Sequence, residues 1–167
     1  MLFKTPHTHL KGQNITKTDT IKDKLKMSSY GKYIKELTEK YKLQNNVVFT
    51  GILDEKQMCE RHFKSHVFVS PSSVENESNS LSEAKIMGVP CVASYAGGVT
   101  DRIQHGIDGF VYQYDASYML AYYVCEIFAN DQLAISVSEK AKTNAKKIND
   151  SRKNIQTLIN IYKKILK

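Results

Sequence analysis

Short apolar runs and longer amphipathic runs alternate along this chain. Tyr33, Ile34, Leu37 and Tyr41 recur at helical spacing with Lys and Glu between them, which predicts a helix beginning near Ser29 and ending before Asn45-Asn46. NVVFTG predicts a short buried strand over 47–50, closed by Gly51. Asp54 then offers an N-cap for a helix to about Lys64, and HVFVSP predicts a second buried strand over 66–70, ended by Pro71. Beyond a polar loop, a helix is predicted from about Asn79 to Met87, stopped by Gly88 and followed by a strand over 90–94. Gly97-Gly98 precede a helical turn through Arg102 and Ile103, and Gly106 and Gly109 bracket a turn before a strand over 109–113. Met119, Leu120, Tyr123, Val124, Ile127 and Phe128 form the apolar stripe of another helix, and two more helical patterns finish the chain. Buried strands alternating with helices indicate parallel βαβ units. The expected fold is therefore α/β: a single Rossmann-like three-layer αβα domain with a parallel sheet. Residues 1–28 are polar and basic without sustained periodicity and read as the partial start of the domain whose body is 29–167.

Composition narrows the class. The chain has 167 residues, 41% hydrophobic and 25% charged, so it can bury a core and is not disordered as a whole. No apolar run approaches the roughly 20 residues needed to span a bilayer, and MLFKTPHTHLKGQ lacks the apolar core of a signal peptide, so a cytoplasmic location is expected. Cys59, Cys91 and Cys125 lie far apart without metal-ligand spacing and read as reduced core thiols. The formal net charge of +7 suits phosphate-bearing partners. Lys and Arg crowd the two ends, in KTDTIKDKLK and KAKTNAKKINDSRKNIQ, where the ordinary reading is solvated helix faces. A nucleic-acid-binding role lacks its usual marks: no zinc spacing, aromatic RNA-binding strand or helix-turn-helix pattern is present.

The chemistry concentrates in PSSVENESNSLSEAKIMGVPCVAS, from Pro71 to Ser94. Ligands of open parallel sheets bind beyond the carboxyl ends of the strands, and this loop lies at such a place. A helix starting near Asn79 would aim the backbone N–H groups of Ser78, Asn79 and Ser80 at the crevice, where their dipole favours an anion such as phosphate. Glu75 enters from the strand side and Glu83 sits about one turn into the helix; carboxylates accept hydrogen bonds from vicinal hydroxyls. A ligand carrying phosphate between two polyols, such as a nucleotide sugar, fits both halves. The structural alternative makes Glu75 a solvated loop residue, Glu83 a surface residue, and Ser78 or Asn79 only a helix cap.

Across roughly 29–167 the sequence resembles the carboxyl-terminal half of glycosyltransferase family 4, retaining enzymes of the GT-B fold. The resemblance rests on NVVFTGILDEKQM and HVFVSPSSVENESNSLSEAKIMGVPCVASYAGGVTDRIQHGIDGFVY: a strand ending in Gly, PS before a Glu, Glu-x7-Glu, EA with a following GVP, then GG and a later G-x-x-G. It implies that Glu75 is catalytic, touching the transferred sugar. It places Glu83 on the nucleotide ribose, the amides of Ser78, Asn79 and Ser80 on the donor's sugar and phosphate, and Gly97 and Gly98 in the same crevice. The glycine pair also reads as a tight turn before a helix. The chain departs from the family's pattern in Asn76 and Glu77 after the first Glu, in Lys85 after EA, and in Asp101 where Glu is frequent. No residue of 1–28 aligns with the family's diphosphate-neutralising Arg and Lys, although Lys4, Lys11 and Lys17 are available cations.

The resemblance implies the donor-binding domain of a hexosyltransferase-type enzyme of glycan or polysaccharide synthesis, using a nucleotide-diphosphate sugar as donor, with no cofactor and no metal. Its acceptor-binding amino-terminal domain is missing from this chain or supplied by another. The isolated chain is then expected to be inactive, and the last helix, around Ile155 to Ile165, to pack poorly by itself. The alternative is a noncatalytic nucleotide-sugar-binding module or a truncated inactive fragment. Nucleic acid is not an expected partner; peripheral association with the inner face of the membrane is a further expectation.

Overall fold

The computed structural model describes Leu2–Phe3 and residues 29–166. The segment 4–28, with Lys4, Lys11 and Lys17 as cation candidates and most of the partial start of the domain, lies outside the described residues. The described chain divides into two units, one containing residues 29–54 and the other containing Leu2–Phe3 and residues 55–166.

In the smaller unit, α1 spans Ser29–Lys40. Thr38 is buried, its hydroxyl donates to the Ile34 carbonyl, and its own carbonyl accepts from the Leu43 amide as the chain turns through Lys42 at φ 55. The strand expected over 47–50 does not form. The Val47 amide is spent on the Leu43 carbonyl, continuing the turn, and Val48 and Phe49 are exposed. An apolar run becomes a strand only where a ladder partner accepts it, and among the described residues none does.

The larger unit holds the sheet, with strand order β1-β2-β3-β4: β1 at Leu2–Phe3, β2 at Val67–Ser70, β3 at Cys91–Ser94 and β4 at Phe110–Tyr112. β2, β3 and β4 are parallel, with Phe68 opposite Cys91 and Val92 opposite Phe110. β1 adds an antiparallel edge to β2, with Leu2 opposite Phe68. Five helices of the unit follow the alternation of the sequence: α2 at Glu55–Phe63, α3 at Asn79–Ile86, α4 at Val99–Arg102, α5 at Ser117–Ala129 and α6 at Asp131–Ile148. α7 closes the series at Ser151–Ile165.

Side-chain alternation along the strands makes two cores. Phe68, Cys91 and Ala93 face one way and pack with Leu81 and Ala84 of α3, Val99 of α4 and Ile103. Val67, Val69, Val92, Phe110 and Tyr112 face the other way and pack with Ile127 of α5 and Val137 of α6. Both faces of a mostly parallel sheet are covered, which is the expected αβα arrangement.

The thiols need one correction. Cys91 lies in the core, but Cys59 on α2 and Cys125 on α5 are exposed, because each falls on the solvent side of its helix.

Candidate functional site

The carboxyl ends of β2 and β3 set the floor of the site. Ser94 Oγ donates to the carbonyls of Ser70 and Ser72, so the two strands are tied where the chain leaves β2 for the polar loop. That loop runs to Ser78, the N-cap of α3, whose hydroxyl accepts from the Leu81 amide at 3.3 Å while its carbonyl accepts from Ser82. Helix geometry leaves the amides of Ser78, Asn79 and Ser80 without intrahelical acceptors, and Asn79 and Ser80 are exposed. Leu81 and Ala84 root the helix in the core. Its far end is closed by Gly88 at φ +78, with Gly88 N–H donating to Lys85 and Val89 N–H to Ala84.

Glu75 is half-buried in the loop, and Glu83 is exposed on α3. Burial holds the His62 imidazole below its ordinary value, and the Glu83 carboxylate partly opposes that shift. His62 is buried, its ring 5.7 Å from that of Phe68, and among the described residues neither ring nitrogen has a hydrogen-bond partner.

The structure brings Gly97 and Gly98 against the loop backbone. A Cβ on Gly97, which sits at φ +46, would lie 1.6 Å from the Glu75 carbonyl oxygen, and one on Gly98 would lie 2.4 Å from that of Asn76. Gly98 N–H donates to that Asn76 carbonyl at 2.9 Å. The glycines are therefore required by the close approach of two protein segments, which holds Glu75 beside the N-terminus of α4.

Sequence reasoning treated Lys85 and Glu77 only as departures, and the structure gives both a partner. Lys85 is buried and pairs with buried Asp108 at 2.9 Å, and its ammonium also donates to the Arg102 carbonyl. Asp108 further accepts from the Gln104 amide at 2.7 Å and from Asn144 of α6 at 2.8 Å. Glu77 pairs with the Arg102 guanidinium. The available signal for the first pair was a lone Lys in an otherwise apolar helix face, with Asp108 held between Gly106 and Gly109. The partners are more than 20 residues apart, so no local pattern joins them.

A separate concavity of about 400 Å³ opens beside β3 and β4, lined by Tyr95, Thr100, Ile103, His105, Tyr112 and Gln113 among others. None of the candidate residues lines it. His105 Nδ1 accepts from the Val111 amide, and its ring meets Tyr123 edge-on at 5.3 Å. Among the described residues no cluster of His, Cys, Asp and Glu is arranged to hold a metal ion.

Comparison with known proteins supplies the family. The profile of the group 1 glycosyl transferases matches residues 19–148. N-acetyl-alpha-D-glucosaminyl L-malate synthase of Bacillus anthracis is 25% identical over 134 residues, covering 80% of this chain and 35% of that protein. Sucrose-phosphate synthase from Thermosynechococcus elongatus superposes with a TM-score of 0.74 at 20% identity, over 83% of this chain and 35% of its own. Anabaena HepE in complex with UDP superposes with a TM-score of 0.68 at 24% identity, over 80% of this chain and 38% of its own. This chain thus spans well under half the length of each of these relatives. It belongs to the group 1 glycosyltransferases, and its α/β fold is that of the carboxyl-terminal domain of a GT-B enzyme.

Proposed function

We propose that this chain is the donor-binding domain of a retaining family 4 glycosyltransferase and binds a nucleotide-diphosphate sugar beyond the carboxyl ends of β2 and β3, beside the β2–α3 loop and the first turn of α3. One observation carries the reading: a loop bearing Glu75 is held against Gly97 and Gly98 and leads directly into a capped helix whose first amides have no intrahelical acceptor. Such amides suit the donor phosphates. Glu83 accepts hydrogen bonds from the nucleotide ribose, and Glu75 acts as the catalytic residue that contacts the transferred sugar. The HepE structure with UDP and the GDP-mannose dependence of a Corynebacterium glutamicum relative support a nucleotide-diphosphate donor.

The reaction class is transfer of a hexosyl group to an acceptor in glycan or polysaccharide synthesis, with no metal or other cofactor. The acceptor is held by an amino-terminal domain that is missing from these 167 residues or supplied by another chain. In this reading the protein works in the cytoplasm. The positive charge of the chain suits peripheral attachment at the inner face of the membrane. Nucleic acid is not a partner in this reading.

Thermal shift with UDP, GDP and their glucose and mannose conjugates tests the proposal. At ligand near 100 times its dissociation constant, stabilisation of about 2.7 kcal/mol is expected from any true donor. No shift with any of these nucleotides at millimolar concentration would refute it.

A further inference from the structure

The loop between the two candidate carboxylates is held by α4 at two points. The Gly98 amide donates to the Asn76 carbonyl at 2.9 Å, and the Arg102 guanidinium pairs with the Glu77 carboxylate. α4 has only four residues and could not be a fixed anchor alone. Its carboxyl end is fastened from behind, because the buried Lys85 ammonium donates to the Arg102 carbonyl while pairing with Asp108. Asp108 is held in turn by the Gln104 amide and by Asn144 of α6. Arg102 therefore reaches out to Glu77 from a point rooted in the core.

We infer that Glu77 and Arg102 are positioning residues, an ion-pair latch that fixes the shape of the Glu75–Ser78 loop and thereby sets the preference for a sugar-bearing donor over the bare nucleoside diphosphate. The inference rests on the donor-binding reading above. Its selectivity follows from what each candidate residue rides on. Glu83 and the amides of Asn79 and Ser80 belong to α3, which Leu81, Ala84 and Lys85 root in the core independently of the latch. Glu75 belongs to the loop, and the loop is what the latch holds. Glu77 is about half exposed, so the pair acts as a modest bias on the loop and not as a structural support.

The test compares Arg102→Ala, Glu77→Gln and the exchanged pair Glu77→Arg/Arg102→Glu with the wild-type chain. Hydrogen exchange is read on peptides covering 75–80 and on β3. Calorimetry is run with UDP, GDP and their glucose and mannose conjugates. In either single variant the loop amides should exchange roughly two- to fivefold faster while β3 is unchanged, as suits loss of one partly exposed pair. Affinity for the nucleotide sugar should fall by a similar roughly two- to fivefold factor, with nucleoside diphosphate affinity unaltered. The exchanged pair should restore slow loop exchange. Unchanged loop exchange in Arg102→Ala, or equal losses for both ligands, would overturn the latch while leaving donor binding intact. A wild-type chain that binds none of these nucleotides would overturn the donor-binding reading and the latch with it.

Discussion

Burial gives individual side chains testable signatures. The Cys91 thiol is pushed up to about 12 by its apolar surroundings, whereas Cys59 and Cys125 are exposed. Iodoacetamide at pH 8 should therefore label two of the three cysteines in the folded chain and all three in denaturant, read by intact mass. Rapid labelling of Cys91 in the native state would show that the β3 core is not closed. His62 supplies a pH dependence. Its imidazole is held below the ordinary value, so the unfolded chain takes up a proton near pH 6.5 that the folded chain refuses. The contribution of His62 to stability is fully present above that value and is lost as the pH falls from 6.5 toward the folded value. His62→Phe should flatten this part of the melting-temperature profile; a profile equally steep without the imidazole would assign the effect elsewhere. Gly97 is constrained twice, by a left-handed φ of +46 and by the Glu75 carbonyl, so Gly97→Ala should displace the Glu75 loop.

The elements show which patterns are local and which are not. Replacing Lys85 with Met strands buried Asp108 without its cation, which should cost about 3–5 kcal/mol in denaturant unfolding. Lys85→Met/Asp108→Asn removes both charges and should recover much of that loss. A double variant no more stable than the single would mean the pair is not the origin of the cost. β2, β3, β4 and α3 were legible in the sequence because local signals bound them: Pro71 after β2, the Ser78 cap before α3, Gly88 between α3 and β3, and Gly106 and Gly109 before β4. The segment 47–50 has the same apolar composition as a strand but depends on a partner far away in sequence, and composition does not encode that partner. The Lys85–Asp108–Asn144 network was hidden for the same reason. The position of the candidate loop was legible, since a polar loop after a buried strand and before a helix needs only local signals. The contact of Gly97 and Gly98 with Glu75 and Asn76 was not, because it depends on how α4 returns to the sheet.

For the whole molecule, the exposed apolar side of α7 matters as much as the site. Ile155, Leu158, Ile159, Tyr162 and Ile165 recur at helical spacing, and no residue of the helix is buried, as the sequence expectation of poor packing for this helix has it. The chain also spans only about a third of the sucrose-phosphate synthase whose fold it shares. Retaining transfer needs an acceptor hydroxyl held at the anomeric carbon, and such positioning supplies about 7–11 kcal/mol of barrier reduction. The chain by itself should therefore bind donor but transfer sugar to simple acceptors at no more than background rate, checked by product chromatography; robust transfer lost in Glu75→Ala would show that this chain suffices. The central claim is that Glu83 meets the part common to all nucleotide donors and Glu75 the part that is transferred. Calorimetric titration of wild type, Glu83→Ala and Glu75→Ala with a nucleoside diphosphate and its sugar conjugate tests it most directly. Loss of a charged hydrogen bond worth about 1.5–3 kcal/mol predicts roughly 10- to 150-fold weaker binding of both ligands by Glu83→Ala. Glu75→Ala should weaken the sugar conjugate alone, and equal losses for both ligands in both variants would contradict the assignment.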